Sequence, residues 1–239
     1  MTSLSRSLRS SIGLKYIMAT TGLGLFAFVI IHLVGNLQIF LGPEPINSYA
    51  AFLKSKPELL WGARAGLFAI LVAHVASAIA LSINNRRARP IAYLHSQNPA
   101  ASYASKTMLA SGVILFLFIA YHLLHFTVAV PRLNLLAANS GFANADFHLL
   151  RDQQGRADVF RMMILGFSHP IVSAFYILSM AVLCLHLTHG VSALFQSLGG
   201  TTPATQIIIR RFSIAAASAI FVGNCSIPIA ILLGFGTPP

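Results

Sequence analysis

Charged residues are missing from residues 16–42, 65–85, 107–131 and 162–209, and again from everything beyond Arg211. A helix that crosses the hydrocarbon core of a bilayer needs about 20 mostly apolar residues, and every one of these windows is long enough. The fourth is too long for one helix and is interrupted by Gly199, Gly200 and Pro203, which punctuate helices, so it holds one span and the approach to another. The expected fold is an all-α integral membrane bundle, one domain over 1–239. Its five transmembrane helices are expected at about 14–41, 60–84, 107–131, 168–198 and 206–234. Pro228 is tolerated in the last, because neighbouring helices can satisfy the carbonyl that it frees. The long connection at 132–167 is polar, with a short surface helix expected near 144–162.

Composition agrees: 56% of residues are hydrophobic, 9% are charged, and the mean hydropathy is +0.75. The net charge of +11 does not point to nucleic acid, because the basic residues stand at the ends of apolar runs without interleaved aromatics. Arg6, Arg9, Lys15, Arg86, Arg87, Arg89, Lys106, Arg210 and Arg211 fall on the side of the N-terminus, with no acidic residue among them. The opposite side carries seven basic residues, set less close to the helix ends, and all five acidic ones, Glu44, Glu58, Asp146, Asp152 and Asp158. The positive-inside rule therefore places the N-terminus inside and the C-terminus outside. A cleaved signal peptide is not expected, since the first apolar run is too long and no small-residue cleavage site follows it. Cys184 and Cys225 lie singly in apolar stretches and suggest packing rather than a disulfide or zinc site.

Four histidines, His32, His74, His122 and His186, lie deep in four different apolar runs, where an ionisable side chain is costly. At 1.5 Å per helical residue, His32 and His122 both come roughly 25 Å up from the inside ends of their helices. His74 and His186 come at roughly 18 to 20 Å. Two depth-matched pairs result. Pairs of neutral imidazoles on separate helices suit the two axial positions of a haem, and the absence of CxxCH makes any haem non-covalent and b-type. Proton relays and ion pathways use buried histidines as well. His125 and His189 each follow a chosen ligand by three residues and share its helical face, so spacing does not separate them. His95, His148 and His169 fall in loops or at a helix start. The small residues Ala65, Ala69, Ala73, Ala76 and Ala80 would let a haem or another helix approach the second span.

The stretch GLKYIMATTGLGLFAFVIIHLVGNLQIFLGPEPINSYAAFL, with HLVGNLQIF around His32, resembles the five-helix cytochrome b subunit of succinate dehydrogenases and fumarate reductases that carry two haems in one polypeptide. AHVASA, FIAYHLLHF and LCLHLTHGVSALFQSLG resemble that family's other haem-binding helices, so the likeness covers nearly the whole chain. The resemblance implies His32 and His122 as ligands of an outer haem b, and His74 and His186 as ligands of an inner one. It favours His122 over His125, and His186 over His189. It also implies flavoprotein and iron-sulfur subunits docked on the inner face of the cytoplasmic membrane. Electrons would then pass from succinate through flavin, clusters and both haems to a quinone, expected to be menaquinone. No dicarboxylate site is expected in this chain, only the electron-transfer part of the enzyme.

Asn36, Gln38, Asn47 and Glu58, near the outer ends of the first two helices, are candidates for the quinone. Arg9, Lys15, Arg86 and Lys106 are candidates for haem propionates or for a partner subunit. Some family members have a glutamate two residues before the fourth ligand, thought to carry a proton across the membrane; Cys184 stands there and cannot do so. Two other readings stay open. One is the cytochrome b of a hydrogenase or formate dehydrogenase, which lacks HLVGNLQIF. The other is a small transporter with a histidine proton relay, although internal repeats and broken helices are not apparent.

Overall fold

A computed structural model describes residues 10–88, 103–131, 133 and 146–236. These residues are almost entirely helical, with no strand among them beyond an isolated bridge between Arg151 and Ala157. The helices are α1 (Ser11–Leu37), α2 (Pro43–Lys54), α3 (Pro57–Arg87), α4 (Tyr103–Lys106), α5 (Met108–His122), α6 (Val159–Phe167), α7 (Pro170–Ser197) and α8 (Gln206–Leu232). Five helices are long and apolar enough to cross a membrane: α1 with its 3-10 extension to Leu41, α3, α5 with its continuation to Thr127, α7 and α8. The 27 residues of α1 alone span about 40 Å, more than a hydrocarbon core. Large apolar side chains such as Ile31, Val34, Phe68, Leu117, Leu178, Ile208 and Val222 stand exposed along these helices. A water-soluble surface does not carry apolar area on that scale, whereas a lipid-facing one does.

Local chemistry sets the ends. Ser10 opens α1 by accepting the Gly13 N–H on its hydroxyl at 3.1 Å. Pro43, Pro57 and Pro170 begin helices, where the missing N–H costs nothing. The third span does not run on regularly to residue 131. It passes at Leu123–Thr127 into a π-helical turn and leaves the helix before Ala129, which has φ 50°. Pro228 lies inside α8 and leaves the helix unbroken to Leu232.

Two elements depart from the expected layout. The segment before α3 forms a further helix, α2, started by Pro43 with Glu44 in its first turn and Lys54 in its last. The helix expected on the surface near 144–162 is instead a 3-10 turn at Phe147–Leu149 followed by α6, whose residues Met163 to Phe167 are all buried. Asp158 fixes where α6 starts, because its carboxylate accepts the Arg161 N–H at 3.0 Å. The apolar sequence that follows then packs inward.

The chain divides into two compact units through which the spanning helices are threaded. The first comprises residues up to Val29, Gly62–Gly112 and Leu185–Ala217. Ala19, Leu81, Leu187, Val191, Leu194 and Ala217 are buried there, and the Ser192 hydroxyl donates to Ser213 at 2.9 Å. The second comprises Ile30–Trp61, Val113–Cys184 and Ser218 onward. Its core joins Ile39 and Ile46 to Phe118, Phe167, Tyr176, Met180, Ile227 and Ile231. A polar clamp ties α2 to the connection before α6. Arg156 grips Glu44 at 2.6 Å and Asp152 at 2.7 Å. Beneath it, buried Asn47 donates to Asp158 at 3.1 Å and accepts the Phe160 N–H at 3.0 Å.

Candidate functional site: two histidine pairs

The first unit holds His74 of α3 and His186 of α7. Each ring packs near a glycine. A Cβ at Gly22 would come within 3.3 Å of His74 Cε1, and one at Gly112 within 3.8 Å of His186 Cε1. Each ring is steadied through Nδ1 by a hydroxyl, Thr21 at 3.2 Å from His74 and Ser111 at 3.0 Å from His186. The proton of each hydroxyl is already spent on its own helix, Thr21 donating to the Ile17 carbonyl at 2.6 Å and Ser111 to the Met108 carbonyl at 3.0 Å. Both oxygens can accept from an imidazole Nδ1–H. In that tautomer Nε2 of each ring keeps a lone pair to offer a metal.

In the second unit, His32 of α1 and His122 at the end of α5 stand with ring centroids 5.7 Å apart and planes at 85°. His122 stacks on Phe118 at 6.0 Å and contacts Phe126 and Tyr176. The Tyr176 hydroxyl lies 3.5 Å from His122 Nδ1 and 3.0 Å from His125 Nδ1. His125 is 1% exposed, packed at 4.1 Å on Phe126, with Nδ1 engaged by Tyr176. Geometry thus turns His122 toward His32, and His125 toward the phenol. The Tyr121 hydroxyl is buried against this cluster with no hydrogen-bond partner among the described residues.

No group of three or more His, Cys, Asp or Glu side chains able to hold a metal ion occurs among the described residues. Each pair offers two neutral nitrogens and no third donor. That donor set fits a metal whose other positions are filled by its own macrocycle, which is what a haem brings.

The remaining sequence candidates are scattered. Asn36 and Gln38 are half-buried at the end of α1 and in the 3-10 turn that follows, Glu58 is exposed in the first turn of α3, and Asn47 is committed to the clamp. No hydrogen bond joins any two of these four. Lys15 and Lys106 are exposed, and Arg86 is exposed beside a groove lined by Ile79, Ser82, Ile83 and Leu109. Arg9 and His95 lie outside the described residues. His169 caps α7 by accepting the Ile171 N–H, and His148 bonds the Val128 carbonyl at 2.8 Å. His189 is half-buried, one turn beyond His186.

Thr21, Ser111 and Tyr176 escaped the sequence reading. The only signal for them was a polar hydroxyl inside an apolar helix, which many helices carry for packing alone. Comparison with known protein families, curated proteins and solved structures finds no match to this chain.

Proposed function

We propose that this chain is the membrane anchor and dihaem cytochrome b subunit of a succinate:quinone oxidoreductase. The observation that carries the reading is duplication. Two histidine pairs are each drawn from two helices, and three of the four members have Nδ1 held by a hydroxyl. A haem b bound at each pair would supply a one-electron carrier. The chain's own work is to hold the imidazoles in one tautomer, raise their basicity through the Nδ1 hydrogen bonds, and exclude water with apolar and aromatic walls. His74 and His186 take the inner haem and His32 and His122 the outer one, as the family resemblance implies.

The N-terminus is inside, given the basic residues that cluster at that side of the spans. The flavoprotein and iron-sulfur subunits dock on the same inner face of the cytoplasmic membrane, where Lys15, Arg86 and Lys106 are exposed to meet them or the haem propionates. Menaquinone is the electron acceptor. Asn36, Gln38 and Glu58 are the candidates for its head group, since the amide of Asn47 is already committed.

The test is spectroscopy of the purified membrane complex with succinate as reductant. The proposal expects two b haems per chain, reduced by succinate. Haems that respond to hydrogen or formate but not to succinate would favour the related cytochromes, and a haem-free complex would favour the transporter.

A further inference from the structure

We infer that Tyr176 is a positioning residue for His122 in the second histidine pair, and that His125 is its hydrogen-bond acceptor rather than a metal ligand. The inference rests on the dihaem reading. Tyr176 has one hydroxyl proton and two histidines to serve, His125 Nδ1 at 3.0 Å and His122 Nδ1 at 3.5 Å. If His122 turns Nε2 toward His32 and a metal, its Nδ1 carries the proton and donates to the phenol oxygen. The phenol then has its own proton free to donate, and the shorter contact shows where it goes, to Nδ1 of His125. The hydrogen bonds run in one direction, from His122 through Tyr176 to His125.

The backbone is shaped for this chain. The π-helical turn begins at Leu123, immediately after His122, with the Val128 N–H reaching the Leu123 carbonyl at 2.7 Å. An inserted π turn redirects the residues it contains, and here it holds His125 buried against Tyr176 and Phe126. Space is tight around that position. A Cβ on Gly166 would come within 2.6 Å of the Phe126 ring and 3.4 Å of His125 Cε1, so glycine is what lets α6 close over it. A buried histidine in such a place is held too firmly to swing round as an alternative ligand.

A hydrogen bond to Nδ1 makes an imidazole a stronger donor and favours oxidised iron, so its loss raises the midpoint potential of the iron it serves. In the purified complex, Tyr176→Phe should leave one haem at its wild-type potential. The other should move to higher potential or be lost through 10- to 100-fold weaker binding. His125→Leu, which strands the phenol proton, should move the same haem in the same direction by less. His125→Asn, which returns an acceptor near the place of Nδ1, should restore it. Wild-type complex without haem would sink the functional reading itself. Two haems at unchanged potentials in Tyr176→Phe, or equal behaviour of His125→Leu and His125→Asn, would overturn this inference alone.

Discussion

In the first unit each histidine is steadied by its own aliphatic hydroxyl, itself tied to a helix carbonyl, whereas in the second a single phenol serves two histidines among aromatic rings. The first arrangement is built from two separable braces, Thr21 for His74 and Ser111 for His186. In the second, Tyr176 meets both His122 and His125. The surroundings also differ: the missing Cβ of Gly22 lets the His74 ring approach, whereas Phe118, Phe126 and Tyr176 surround His122. The two pairs thus sit in different packing, and on the dihaem reading the two sites should respond independently to mutation.

The most drastic way to break the comparison is to remove a ligand. His74→Ala or His186→Ala should abolish one haem and spare the other, and His32→Ala or His122→Ala should do the converse, read from the b-type absorbance per chain. Loss of both haems from an assembled complex in any of these variants would contradict the independence of the sites.

Asn47→Ala attacks the second unit without touching its histidines. It strands the Phe160 N–H and removes a donor to Asp158, at a cost on the order of 2 kcal/mol. The thermal midpoint should fall while both haems remain in the complex at 20 °C or below. Thr21→Val and Ser111→Ala sharpen the first unit. Each should weaken one haem by about 10- to 100-fold in titration with haem, without an effect on the other site.

The smallest effect concerns acid. The Arg156 hydrogen bond, helped by Ser48, holds the Glu44 carboxyl down from 4.5 to about 2. Burial pushes Asp152 upward, but its bonds to Arg156 outweigh that and leave it lowered too. Groups depressed in this way stabilise the fold fully above their unfolded pKa values, and the contribution disappears as pH falls through the folded ones. Thermal midpoints should therefore drop from about pH 5 toward pH 2, and Arg156→Gln should flatten that slope. An unchanged slope in Arg156→Gln would remove the clamp from the account.

The five spans were legible because excluding charge from about 20 residues is a constraint that acts on local sequence. The four histidines could be ranked by depth for a related reason, since depth along a helix follows from counting residues. The supports were not. Thr21 and His74 are 53 residues apart, Ser111 and His186 are 75 apart, and Tyr176 and His122 are 54 apart, so only tertiary packing brings them together. The helix α6 was misplaced because the polar residues before it outweighed its short apolar run, and its start depends on a carboxylate that caps at Asp158. His122 and its neighbour three residues on are equivalent in the residues themselves; in the structure the His122 ring lies 5.7 Å from that of His32, while the π turn holds His125 on Tyr176.

The most direct measurement is the ratio of b-type haem to this chain in the purified complex, taken from the reduced pyridine spectrum against the amount of polypeptide. Two haems per chain in the wild type, falling to one in both His32→Ala and His74→Ala, is the predicted result. A ratio of zero, or one haem that neither substitution removes, would contradict two independent bis-histidine sites.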